Sequence, residues 1–268
     1  MLCVENLGVR IHGETILDAI SFCVQQGQTL CIAGESGSGK SSLLRALNGL
    51  LPAEFGSLAF HPTSGELTEL EGKWRGVRGL PGSRWVMQDP IAALNPKLPL
   101  GVSIGESVFS KNLSATELND AVSDALSEVE LRPELAVRRP SEVSLGQAQR
   151  ACLARALVAR PDLIFFDEPL SALDAIVQKQ VAATMRRIQM RYGTTFIIVT
   201  HDLGFAATYA DHVLVLRNGK IEASQSAGNF FRSPESRYCE ELILAARELG
   251  GLPEVVPAKQ GSGEARSC

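Results

Sequence analysis

A short apolar run, Leu30 to Ala33, leads into Gly34, Glu35, Ser36, Gly37, Ser38, Gly39, Lys40, Ser41 and Ser42, and leucines at helical spacing follow at 43, 44 and 47. The pattern G-x-x-x-x-G-K-[ST] between a strand and a helix is a cradle for phosphate groups. Its glycines let successive backbone N–H groups curl around an anion, and the helix start aims its positive end at the same point. In that chemistry Lys40 meets the β- and γ-phosphates and Ser41 ligates magnesium. The competing reading is a flexible Gly/Ser loop.

A second reactive group closes the apolar burst LIFFDEP at 163–169, where Asp167 and Glu168 stand side by side. A nucleoside triphosphate site needs one carboxylate to hold hydrated magnesium and another to orient or deprotonate the attacking water. Asp167 and Glu168 fill those two places in order. A solvated strand end capping the next helix would also account for them.

The elements around these groups must put strand ends and helix starts together. The opening segments read as short strands with turns at His12-Gly13 and Gln26-Gly27. Residues 55–84, rich in Gly, Pro and short polar runs, read as a strand remnant followed by a long surface excursion. From about residue 96 to 158 the pattern turns helical, with a capping box at Ser114 and Glu117 and breaks at Pro133 and Pro140. LIFFD, an amphipathic helix ending at Gly193, and TTFIIVT then alternate strand, helix, strand, which implies a buried parallel sheet. HVLVLRNGKIEA adds a hairpin turning at Asn218-Gly219. The expected fold is α/β, one domain over 1–249 with a helical lobe inserted at about 96–158, and a flexible tail at 250–268.

Composition fits that picture. At 268 residues, 45% apolar and 21% charged, the chain can bury a substantial core, and its net charge of -4 argues against a broad basic face for nucleic acid. No apolar stretch approaches the ~20 residues that cross a bilayer, and Glu5 stands where a signal peptide would carry a basic head. The six cysteines form no C-x-x-C pair and read as buried thiols rather than disulfides or a metal site.

VSLGQAQR at 143–150 resembles the L-S-G-G-Q signature of ATP-binding cassette (ABC) ATPases. With it come Gln88 in VMQDP, SALD at 171–174 and His201 in IIVTHD, in the order and near the spacing of that family. The resemblance covers about residues 2 to 245 and implies a P-loop ABC core with a mixed or parallel sheet, an N-terminal antiparallel β subdomain and an inserted helical lobe. It also implies that Gln88 senses the γ-phosphate and magnesium, that Ser41, Gln88 and Asp167 hold Mg2+, and that Glu168 and His201 serve ATP hydrolysis. By the same resemblance Asp174 sits at a dimer interface, and Ser144, Gly146 and Gln147 cap an ATP bound to the opposite subunit.

Two departures stand out. Leu145 occupies the place of the first signature glycine, and Ile11, with His12 beside it, stands where the family places an aromatic residue on adenine. VMQDPIAALNP and SPESRYCEEL at 233–242 look like the corresponding stretches of importers for oligopeptides, dipeptides, nickel and metal-chelator complexes. That resemblance implies an ATPase subunit at the cytoplasmic face of the membrane. Its partners would be a second ABC ATPase, like or unlike, two permease subunits and, indirectly, an extracytoplasmic solute-binding protein, with no nucleic acid. A soluble non-transport ABC ATPase and a weakly hydrolysing regulatory subunit are the alternatives.

Overall fold

The computed structural model describes residues 1–63, 67–74 and 79–252. In chain order the elements are β1 (Leu2–Ile11), β2 (Glu14–Val24), β3 (Thr29–Ala33), α1 (Lys40–Leu47), β4 (Ala53–Phe60), β5 (Thr68–Trp74), β6 (Ser83–Val86), α2 (Pro90–Ala93), α3 (Leu100–Gly105), α4 (Ala115–Glu128), α5 (Leu145–Leu157), β7 (Leu163–Asp167), α6 (Ala175–Tyr192), β8 (Thr195–Val199), α7 (Leu203–Tyr209), β9 (His212–Arg217), β10 (Lys220–Ser226), α8 (Ala227–Arg232) and α9 (Arg237–Glu248). They fall into two compact units, one formed by residues 1–83 with 195–268, the other by residues 84–194.

The first unit contains two sheet regions. One is antiparallel, in the order β2-β1-β4-β5. The other runs β10-β9-β3-β8, with β3 parallel to both β8 and β9 and β10 antiparallel to β9. Every residue of β3 and β8 is buried, as parallel strands covered on both faces must be. The strands therefore read as unbroken apolar runs. Leu43, Leu44 and Leu47 of α1 are fully buried, each contributing about 1.5–3 kcal/mol relative to exposure.

The second unit carries β6, β7 and the helices α2 to α6. The capping box expected at Ser114 is present: Glu117 N–H donates to Ser114 Oγ, and the Glu117 carboxylate accepts from Ser114 N–H at 2.8 Å. The long helix α6 stops at Gly193 in the left-handed conformation, φ 65°, the stop that a C-terminal glycine supplies.

Two expectations are corrected. Residues 55–84 hold more than a remnant, because β4 runs to Phe60 and pairs with a further strand, β5, before β6 begins at Ser83. β5 alternates between half-buried and exposed positions with none buried, so it lacks the apolar pattern that marks a strand in sequence. The cysteines are not all thiols: the sulfurs of Cys3 and Cys23 are bonded across β1 and β2, where the two residues face each other with Cα atoms 4.2 Å apart. Cys31, Cys152 and Cys239 are buried and unpaired by disulfide, and Cys268 lies outside the described residues. So does residue 253 onward of the tail expected to be flexible. Among the described residues no helix is long and apolar enough to cross a membrane.

Candidate nucleotide site

In the first unit, β3 delivers the chain directly into the glycine-rich loop. A side chain at Gly34, φ 140°, would bring its Cβ to 2.2 Å from the Leu216 carbonyl oxygen, and one at Gly39, φ 105°, to 2.6 Å from Leu17 Cδ2. The loop is thus pressed against β9 on one side and β2 on the other, which only glycine permits. The β9–β10 turn closes the wall, since Gly219 N–H donates to the Ser38 carbonyl at 3.1 Å. Lys40 opens α1 and is only 7% exposed. Its ammonium donates to the carbonyls of Gly34 at 2.8 Å and Glu35 at 2.6 Å, with Ser38 Oγ at 3.5 Å. A buried cation bridging the walls of its own loop holds that loop curled. Ser41 and Ser42 follow on the first turn of α1, half-buried.

His201 follows β8, whose Val199 pairs with Ile32 beside the start of the loop. The turn that carries it is fixed at both ends. Thr200 N–H donates to the Ile32 carbonyl at 3.2 Å, and Asp202 both accepts from Phe205 N–H as the cap of α7 and donates its own N–H to Thr200 Oγ1 at 3.0 Å. The imidazole is exposed. Ile11 and His12 lie at the β1–β2 turn, His12 with φ 51° and an exposed side chain.

In the second unit, β7 is buried throughout and ends at Asp167, 8% exposed. Glu168 then adopts φ 45°, a left-handed conformation that non-glycine residues rarely take except where the surroundings enforce it. Its backbone carbonyl accepts from Ser171 Oγ at 3.0 Å, and its carboxylate accepts from Gln88 Nε2 at 3.2 Å. Gln88 is carried two residues beyond β6 and is fixed by its neighbour Asp89, which caps α2 by accepting from Ile91 and Ala92 N–H. Sequence reasoning placed Gln88 and Glu168 at one site but not in mutual contact. No sequence signal gives that bond or the Glu168 backbone conformation.

The signature residues sit at the start of α5. Ser144 is its cap, accepting from Gln147 N–H at 3.2 Å while Gln147 Oε1 accepts from Ser144 N–H at 2.9 Å. This reciprocal cap was readable from S-x-x-Q. A Cβ on Gly146 would lie 2.6 Å from Val177 Cγ1, so that glycine lets α5 approach α6. Leu145 is 39% exposed. Asp174 caps α6, accepting from Ile176 at 3.1 Å and Val177 at 3.0 Å. Both helix starts therefore have an ordered, outward-facing polar cap.

Hydroxyl, amide and carboxylate oxygens are the donor set here. Ser41 in the first unit and Gln88 and Asp167 in the second each carry an oxygen of the hard type that magnesium takes. Among the described residues there is no cluster of three or more His, Cys, Asp or Glu side chains for a metal held by protein alone.

The ABC transporter family model matches residues 17–171. A probable peptide ABC transporter ATP-binding protein of Sinorhizobium fredii is 38% identical over 86% of this chain, which spans 65% of that relative's length; the chain spans 42% of another relative. The nickel import ATP-binding protein NikE of Rhodospirillum rubrum is 37% identical over 89% of this chain and 86% of its own. Among solved structures, cbiO1 of Clostridium perfringens, part of an ABC transporter complex, superposes with a TM-score of 0.72 at 24% identity, covering 93% of this chain and 96% of its own. A glycine loop walled by β2 and β9, a strand-end acidic pair with Gln88 on its carboxylate, and a capped signature helix thus accompany a family match over more than half the chain: it belongs to the ABC transporter family.

Proposed function

We propose that this chain is the ATP-binding and ATP-hydrolysing motor subunit of an ABC importer. The observation that carries the reading is the pairing of Gln88 with the strained Glu168 at the end of β7, an amide already seated on the carboxylate that must meet water. In this scheme the triphosphate lies in the loop of residues 34–42, and Lys40 moves from the loop carbonyls to the β- and γ-phosphates. Ser41, Asp167 and Gln88 would hold Mg2+, which when bound would neutralise charge on the phosphate oxygens. Glu168 orients a water and accepts its proton as the water oxygen bonds to the γ-phosphorus and the bond to the β–γ bridging oxygen breaks. His201 contacts the γ-phosphate and holds the attack geometry.

The signature helix serves the neighbouring subunit. Ser144 Oγ and the free N–H groups at the start of α5 face an ATP held by the partner, with Gly146 and Gln147 shaping that end and Asp174 at the shared surface. ATP then joins two protomers, and its cleavage releases them, which converts phosphate chemistry into movement. The partners are a second ABC ATPase, like or unlike, two permease subunits at the cytoplasmic face of the membrane and, through them, an extracytoplasmic binding protein. The relatives named for peptide and nickel transport support a cargo of oligo- or dipeptides, nickel or a metal-chelator complex.

A second reading, a regulatory subunit with slow hydrolysis, is favoured by one observation: Leu145 projects at the signature helix start, 39% exposed. Purification from detergent-solubilised membranes tests both. Two integral-membrane proteins should co-purify, and the complex should turn over ATP well above a Glu168→Gln blank. A monomer without membrane partners counts against the importer, and turnover equal to the blank counts for the regulatory subunit.

A further inference from the structure

Glu130, just past the end of α4, takes φ 59°, the left-handed conformation in which helices end and which suits glycine. The ending is otherwise regular: Glu130 N–H donates to the Ser127 carbonyl at 3.0 Å and Leu131 N–H to the Leu126 carbonyl at 2.9 Å. A glutamate is therefore held where a glycine would be unstrained, and what a glycine would lack is the carboxylate. One of its oxygens accepts from Arg187 Nη1 of α6 at 2.6 Å, and the other lies 3.6 Å from Arg150 Nη1 of α5. Arg187 Nη2 also donates to the Glu128 carbonyl at 2.8 Å, so backbone and side chain together seat the end of α4 on α6.

Arg150 belongs to the signature stretch VSLGQAQR. Its side chain is only 12% exposed, and a guanidinium so nearly buried needs a counter-charge and acceptors for its donors. Gln180 Oε1 of α6 accepts from Nη2 at 2.7 Å, the Glu130 carbonyl accepts from Nη1 at 3.5 Å, and the Glu130 carboxylate supplies the negative charge. Gly146 and Arg150, one turn apart on α5, thus meet Val177 and Gln180, one turn apart on α6. The glycine sets how near the two helices come, but an apolar contact leaves α5 able to roll and slide on its neighbour. Arg150, gripped from α6 and from the end of α4 at once, removes that freedom. Ser144 caps the same helix six residues earlier, so its direction follows from where Arg150 is held.

We propose that Glu130 is a positioning residue for the signature helix: by holding Arg150 it fixes the setting of α5, and with it the direction in which Ser144 and the first N–H groups meet an ATP on the neighbouring protomer. The inference rests on the reading above in which that helix caps a partner's nucleotide. It brings in a residue outside the motifs to which that reading gives a role.

The test is sedimentation of the full chain in a Glu168→Gln background, alone and mixed with any second ABC ATPase that co-purifies with it, over a range of protein concentrations at saturating MgATP. Binding of a fluorescent ATP analogue by the dilute monomer and thermal melts are measured on the same proteins. Glu130→Gly relieves the backbone while removing the carboxylate, and Glu130→Gln keeps the backbone strain and removes only the charge. Both should raise the concentration at which the dimer forms by about 3- to 30-fold, the range of coupling within one side-chain network, and leave the monomer's own ATP affinity unchanged. Arg150→Gln should weaken assembly in its own right and add less in the Glu130→Gly background than alone. Unchanged assembly in the Glu130 variants, assembly that weakens only in step with melting temperature, an equal loss of the monomer's own affinity, or effects of Glu130→Gly and Arg150→Gln that multiply would overturn the inference. If Glu130→Gly does not fold, Glu130→Gln decides by the same measures. If the Glu168→Gln parent itself stays monomeric, the shared-ATP reading fails first and takes the inference with it.

Discussion

Glu168 combines an unfavourable backbone conformation with a carboxylate already engaged by an amide, and residues of this kind are held by their surroundings rather than by their own preference. As the proton acceptor it should be separable from binding. Glu168→Gln is expected to retain MgATP and to lose hydrolysis by about 10²- to 10⁴-fold, measured by phosphate release. Lys40→Ala should abolish nucleotide binding in the same assay buffer, because the cation that bridges the loop disappears. At this scale the phosphate loop was legible because its chemistry demands glycines at fixed spacing, and the close approaches at Gly34 and Gly39 follow from the same demand. The Gln88–Glu168 bond was not legible, since it joins side chains 80 positions apart through the ends of β6 and β7. For Asp174 the structure gives a cap to α6.

Between elements, the decisive approach is that of α5 to α6. Gly146→Ala puts a methyl 2.6 Å from Val177 Cγ1, and a β-branched residue in a helix has little freedom to turn away. A loss of about 1–3 kcal/mol is expected from urea unfolding, restored largely by Val177→Ala. Ser144→Ala should cost about 1 kcal/mol through the lost cap. Leu145 packs in no such contact role at its exposed position, so Leu145→Gly should leave stability within about 1 kcal/mol, the helix-propensity cost of glycine, while changing ATP turnover in the presence of the second ATPase subunit; equal turnover before and after rules out a part for Leu145 in the shared site. The strands β3, β7 and β8 were legible as unbroken apolar runs, and the β9–β10 turn as Asn-Gly. β5 was not, because its residues alternate only between half-buried and exposed. The Cys3–Cys23 bond was not legible: the Ile11–Glu14 register at the turn, continued regularly, would set Cys3 opposite Phe22, and only the irregularities along β1 and β2 bring the two cysteines face to face.

For the whole molecule, the residues assigned to ATP chemistry are shared between the two units, the phosphate loop and His201 in one and the carboxylates, Gln88 and the signature helix in the other. The central claim is that MgATP held by these residues is gripped again by the signature helix of a second protomer. Sedimentation of Glu168→Gln, alone and mixed with any second ABC ATPase that co-purifies with it, tests this most directly. The account predicts a dimer that appears with saturating MgATP and is absent with Lys40→Ala; a Glu168→Gln protein that binds MgATP yet stays monomeric in both settings would contradict it.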